Sequence, residues 1–301
     1  MKKIFGILIL LFVMSNVVVF ADEKSIYLQL LQSNKMAELE EHLKKWEANE
    51  PNNPEMFIGY FNYYLNMARN ETIVFGGKNP PKGDTYFSIT DPKTGDNIGY
   101  MYGEVKYDPS YAEKALQIIN RGLAIAPSRL DMHFGKTRLL AELHSYGKQK
   151  EYLLKIFDIG KTINNKWLWS DGKVLEDAEN VFVNSIHDYI SEWYNANDKI
   201  AFASVLEIGE ALTIYYPDNP IGYNDCGLFY AQNGDMANAE KYFLSGYRVD
   251  TEDEVLIGNL AYLYEAKKNV GEAIKYYKIM AKSMNPKYSE YAKKRITELS
   301  K

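Results

Sequence analysis

Cysteine is almost missing: the 301-residue chain has one, Cys226. No intramolecular disulfide can form, and the four-thiolate and Cys/His zinc frameworks lack their ligands. Histidine is scarce as well. His42, His133, His144 and His187 include no His-Glu-x-x-His helix and no pair at ligand spacing with a third ligand in sight, so each is expected at the surface or its boundary and no metal or other cofactor is expected. A basic block is also lacking. Lys plus Arg number 35 against 40 Asp plus Glu, a net charge of -5, which removes the electrostatic footprint of a nucleic-acid binder. What the chain has in quantity is apolar and aromatic side chains, at 46% and 14%, too many for disorder. Tyrosine stands out with 25 copies, which implies half-buried positions where a ring packs and a hydroxyl reaches water or a partner.

The one long apolar run lies at the start. Residues 1–21 carry Lys2 and Lys3, an apolar stretch softened by Ser15 and Asn16, and Val19-Phe20-Ala21 with short side chains at its end. This is the pattern of a secretory signal peptide; an uncleaved anchor is the alternative, because about 18 apolar residues just span a bilayer. Export is expected in either case, to the periplasm or beyond. No cysteine follows Ala21 as a lipid attachment point, so no stable membrane insertion is expected once the signal is cleaved.

From residue 25 onward helical periodicity is broken by Asn, Asp, Gly and Pro about every 15–20 residues, the spacing of paired helices, and the fold class is all-α. The strongest internal signal is a self-match at 34 residues: Gly227 with Ala261, Tyr230 with Tyr264, Ala239 with Ala273, Tyr242 with Tyr276 and Phe243 with Tyr277. On these residues the chain resembles the tetratricopeptide repeat (TPR) family. The family pattern falls on Tyr223, Cys226, Gly227, Tyr230, Gly234, Ala239, Phe243 and Gly246, then on Ile257, Leu260, Ala261, Tyr264, Ala273, Tyr277, Ala281 and Pro286. It departs at Lys268, where a turn glycine is usual, and at Thr251, where a proline is.

The resemblance implies a right-handed solenoid of helical hairpins, with residues 287–301 as the polar-faced capping helix that a terminal repeat needs. Weaker echoes, as in Ala115, Ile119, Gly122, Leu123 and Pro127, extend the array upstream. The expected organisation is therefore a signal peptide over 1–21, divergent repeats over 22–216, and the best-matched units with their cap over 217–301. An insertion over 69–108 interrupts the array. It holds 6 of the 20 glycines and 3 of the 10 prolines, and two alternating runs around the turn at 91–96 predict a β-hairpin. The segment 164–173 is too polar for a helix.

Chemistry-bearing motifs fail on inspection. Gly135-Lys136-Thr137 and Gly160-Lys161-Thr162 imitate the end of a phosphate loop, but Leu130 and Lys155 stand where its first glycine belongs, and both triplets fall in helical patterns. Cys226 falls on a packed repeat position, where an inert buried thiol is expected. No catalytic residue is named. The resemblance implies instead a recognition groove along the first helix of each unit, at Asn224, Asp225, Leu228 and Gln232, then Asn259, Tyr262 and Glu265. These positions either bond an extended peptide or simply face water. Trp167 and Trp169, alternating in an extended loop, either plug a gap between helices or form a binding platform. The expected function is thus a non-catalytic exported scaffold of a bacterial envelope that binds a protein or peptide; the alternative is a glycan-binding module using Tyr and Trp faces. The insertion is read as either the element of partner choice or a lid.

Overall fold

The computed structural model describes residues 22–77, 79–80 and 85–301; the expected signal peptide lies outside them. Helices dominate and come in consecutive pairs: α1 (Glu23–Gln32) with α2 (Met36–Asn49), α3 (Pro54–Ala68) with α4 (Pro109–Ile125), and α5 (Leu130–Glu142) with α6 (Tyr146–Thr162). Then come α7 (Ala178–Asn195) with α8 (Lys199–Tyr215), α9 (Ile221–Gln232) with α10 (Met236–Val249), α11 (Glu254–Ala266) with α12 (Val270–Met280), and the closing α13 (Pro286–Leu299). None of them is long and apolar enough to cross a membrane. Asp108, Asp198, Asp253 and Asn285 cap α4, α8, α11 and α13 by accepting from backbone amides of the first turn, an arrangement worth about 1 kcal/mol per helix.

The pairing is visible in the turns. Asn34, His144, Asn197, Gly234 and Lys268 each join the two helices of a unit in the left-handed region, with φ between 50° and 78°. In four of these turns the following residue donates its N–H to the carbonyl five positions back: Lys35 to Leu30, Ser145 to Leu140, Asp235 to Tyr230 and Asn269 to Tyr264. That bond closes a helix end and reverses the chain, so one local geometry recurs although the sequences around it have diverged. Lys268 adopts it without a glycine.

The second unit lacks such a turn. Between α3 and α4 the chain builds an antiparallel sheet of β1 (Arg69–Gly76), β2 (Tyr86–Thr90) and β3 (Asn97–Tyr107), in the order β1-β3-β2. The hairpin foreseen from the alternation is β2–β3, closed by the bond from Asp91 N–H to the Asp96 carbonyl and by Gly95 at φ 77°. The strand β1 was not foreseen; it pairs along β3 from Arg69 opposite Tyr107 to Gly76 opposite Tyr100. A bond from Asp108 N–H to the Ala68 carbonyl (2.8 Å) closes the base of the insertion. A smaller hairpin, β4 (Leu168–Trp169) with β5 (Lys173–Val174), occupies the polar segment before α7.

The buried side chains form three clusters along the array, around Trp46 and Phe57, around Phe157, Phe182 and Trp193, and around Phe243, Leu260 and Tyr277. Small residues sit where helices cross: Ala239 and Ala273 are fully buried, and a Cβ at Gly227 would meet the Phe243 ring at 2.4 Å. The first helices are also tied together by charge. Arg129, 2% exposed, pairs with Glu55 and Asp131, both at 2.7 Å, and Lys24 reaches Glu55 at 3.0 Å and also Asp171. Breaking a buried group of this kind costs about 3–5 kcal/mol, because the remaining partner is left without its counter-charge.

Candidate functional site

Two clefts open along the first helices, and their walls follow from the repeat. At the C-terminal end, α11 and α13 enclose a cleft of 360 Å³ lined by Val255, Gly258, Asn259, Tyr262, Tyr288 and Tyr291, with Met280, Glu254 and Lys287. Helical spacing puts Val255, Gly258, Asn259 and Tyr262 on one face of α11. A helix-interior glycine costs about 1 kcal/mol against alanine. Gly227, Gly222 and Gly246 accept that cost because a Cβ there would lie 3.0 Å or less from a neighbour, whereas a Cβ at Gly258 would meet nothing within 4 Å. Gly258 thus deepens the cleft. Tyr262 lies 5.7 Å from Tyr291 between ring centres, and burial, followed by the Tyr291 contact, pushes its hydroxyl up to about 12, so it stays a hydrogen-bonding phenol at neutral pH. Lys287 supplies a cation from the capping helix, whereas the groove positions read from the repeat pattern carry none.

The second cleft, of 1260 Å³, lies where the inserted sheet meets α5 and α7. Arg69, Gly103, Val105 and Tyr107 face Arg138, Glu142, Asp188 and Glu192 across it. Arg138 donates to Glu142 (2.9 Å) and to Glu192 (2.7 Å), and the Tyr107 hydroxyl donates to Glu142. Burial, and then the Glu142 carboxylate, push Tyr107 up to about 12.

The residues named from sequence divide between exposure and structure. Asn259 and Tyr262 line the C-terminal cleft, and Gln232 is exposed. Asn259 also donates to the Asn224 side chain (2.7 Å), which is nearly buried. Asp225 is fully buried against the His187 imidazole, with Nδ1 at 2.9 and 3.1 Å from its two oxygens. It is therefore a link between α7 and α9 and offers nothing to a groove. Leu228 packs on the C-terminal cluster, and Glu265 accepts from Tyr277 and Arg295, anchoring the capping helix. Trp167 is 1% exposed, stacked on Phe182 and edge-on to His133; Trp169 is the one with a free edge. His133 corrects the expectation of a surface histidine. It is buried, bonded to the Tyr152 hydroxyl (2.7 Å) and the Pro127 carbonyl (2.9 Å), and its burial pushes it down to about 4. Cys226 is buried, which pushes its thiol up and leaves it inert. Both Gly-Lys-Thr triplets lie within helices, in α5 and at the end of α6.

Among the described residues no group of three or more His, Cys, Asp and Glu is placed to hold a metal ion. What the clefts present is amide, phenol, carboxylate, cationic and apolar surface, which suits binding. No family model matches the chain, and no curated protein does. Solved structures similar to it include a thermophilic TPR protein of Thermus thermophilus, at 16% identity over 63% of this chain and 91% of that one, with a TM-score of 0.35. Another is YrrB, a TPR protein with an unusual peptide-binding site, at 12% identity over 84% and 97%, TM-score 0.41. A third is PilW, a type IV pilus biogenesis factor, at 10% identity over 89% and 96%, TM-score 0.38. The 34-residue period, the paired helices with their recurring left-handed turn and the small residues at the crossings make the fold a TPR-like array of helical hairpins with a small sheet inserted in its second unit.

Proposed function

We propose that the protein is a non-catalytic scaffold, exported to a bacterial cell envelope, that binds a segment of a protein partner along the face formed by its first helices. The observation that carries this reading is the C-terminal cleft, where an unfilled helix glycine sits among three tyrosines and an asparagine amide. A helix gives up about 1 kcal/mol at such a position, and no neighbouring side chain at Gly258 recovers it. A bound side chain would. The glycan alternative loses the stronger half of its tryptophan platform, because Trp167 is buried.

Photo-crosslinking in the native envelope tests the proposal. A benzophenone amino acid at Tyr262 or Glu192, on first helices, is expected to capture the same protein, and one at the exposed Lys241 on α10 to capture nothing in common with them. Equal capture from both faces, or none from the first helices, refutes it. Saturable quenching of tryptophan fluorescence by an oligosaccharide, with no protein captured, would favour the glycan reading instead.

A further inference from the structure

The inserted sheet turns an apolar face toward an acidic helical floor. Alternation along a strand sends successive side chains to opposite faces, and the register aligns Phe75, Met101 and Phe87 in one row across the three strands. Ile73 opposite Gly103 and Val105 opposite Glu71 continue the same face. Its orientation is fixed by Arg69, Gly103 and Val105, which share that parity and line the large cleft with α5 and α7. Ile73, Phe75 and Phe87 are nonetheless two-thirds exposed. Apolar side chains gathered at this density on one exposed face mark an interaction surface, and Gly103, with nothing within 4 Å of a Cβ, leaves a notch beside Ile73.

The floor sets the sign of what fits. Glu142, Asp188 and Glu192 line the helix side of the cleft with Arg138, while Arg69 and Glu104 on the sheet side are paired with Glu71 and Lys106. Arg138 is shared between two of the acids, and among the described residues Asp188 has no ion pair. A bound segment therefore meets apolar surface on the sheet side and uncompensated negative charge on the helix side.

We infer that this cleft, together with the apolar sheet face that continues beyond its lining, binds a basic amphipathic segment of the partner protein, its Lys or Arg side chains over Asp188, Glu142 and Glu192 in the cleft and its apolar side chains against Ile73, Phe75 and Phe87 beside it. The inference rests on the scaffold reading above and names the chemistry of the partner at this end of the array. It also makes the insertion the element of partner choice, since Ile73, Phe75 and Phe87 stay two-thirds exposed on that face.

The test uses the full-length protein and fluorescein-labelled peptides of about four helical turns, with Leu at i, i+3, i+4 and i+7 and Lys elsewhere. Matched peptides with Glu for Lys, or Gly for Leu, serve as comparisons. Anisotropy is expected to show saturable binding of the Leu/Lys peptide and roughly tenfold or greater weakening for each comparison peptide. The same weakening is expected for the Phe75→Ser/Phe87→Ser protein, whose substitutions are exposed, and for Asp188→Lys, which leaves the sheet intact. Equal affinity for native and variant proteins, or affinity that follows peptide charge alone, overturns the inference. If the benzophenone at Tyr262 still captures its protein from the sheet variant, and the benzophenone at Glu192 does so equally, the scaffold stands and this assignment falls. If no first-helix position captures anything, the scaffold reading fails and takes this inference with it.

Discussion

Gly227 and Gly258 occupy interior positions of successive first helices, and alanine substitution at the two should move stability in opposite directions. Replacing a helix-interior glycine by alanine gains about 0.5–1 kcal/mol, because the unfolded chain loses conformational freedom. At Gly258 nothing offsets that gain, since the added methyl meets no atom within 4 Å. At Gly227 the methyl would stand 2.4 Å from two carbons of the Phe243 ring, and Phe243 is itself buried in the C-terminal cluster. Carbon atoms settle at about 3.5–4.0 Å, so the ring or the helix must yield by roughly 1 Å, and overpacking of that kind costs about 1–3 kcal/mol. Gly258→Ala should therefore raise the urea midpoint and Gly227→Ala lower it, with circular dichroism as the readout. Gly258→Phe, which fills the cleft, should in addition abolish crosslinking from Tyr262 while the protein stays folded. A lower midpoint for Gly258→Ala would show that the cleft is not open, and a higher one for Gly227→Ala would refute the packing argument at the crossing.

Lys268→Gly should raise the unfolding midpoint, because a left-handed residue with a Cβ costs about 1–2 kcal/mol and Lys268 sits at φ 59°; an unchanged midpoint would mean the turn is relaxed. Ala273→Leu should lower it, since Ala273 is fully buried between helices and overpacking there costs about 1–3 kcal/mol. His187, which is half-buried, and His133, which is buried, should respond oppositely to pH. His187 is raised by its bond to Asp225, so the folded state holds that proton more tightly. Its contribution is full below the unfolded value near 6.5 and is lost as pH rises through the folded value. His133, pushed down to about 4 by burial, contributes the reverse: stability present above about 6.5 and lost as pH falls toward 4. NMR titration of the imidazole protons checks both, and a His187 midpoint below 6.5 would contradict the ion pair.

The C-terminal repeats were legible because their determinants are local. Gly227 and Ala261, and Ala239 and Ala273, are small for the same steric reason at the same spacing, and the cleft residues Asn259 and Tyr262 follow from the face they share. What was illegible depends on partners far along the chain. Asp225 looks like a groove acid until His187, 38 positions away, is brought against it. His133 is buried because Tyr152 and the Pro127 carbonyl satisfy both ring nitrogens, and a lone histidine in a helical pattern does not announce such partners. In the insertion, β2 and β3 announce themselves by alternation around a turn. Strand β1 does not, because Ile73, Val74 and Phe75 run consecutively, and it is β3 that organises them. Trp167 and Trp169 alternate as expected, yet only the first meets a slot between Phe182 and His133.

The way the sheet is mounted has a mechanical consequence. Its first and last strands leave α3 and enter α4 side by side, with Arg69 opposite Tyr107 and the Ala68–Asp108 bond across the base. Tension that draws α3 away from α4 would fall on that first rung and pass to the next only after it breaks, so β1 would peel from β3 rung by rung. Peeling requires far less force than shearing all rungs together. In an optical trap, a load applied across α3 and α4 should find the sheet yielding before the helical units, paying out about 3.3–3.6 Å per freed residue as slack that spares the rest of the array.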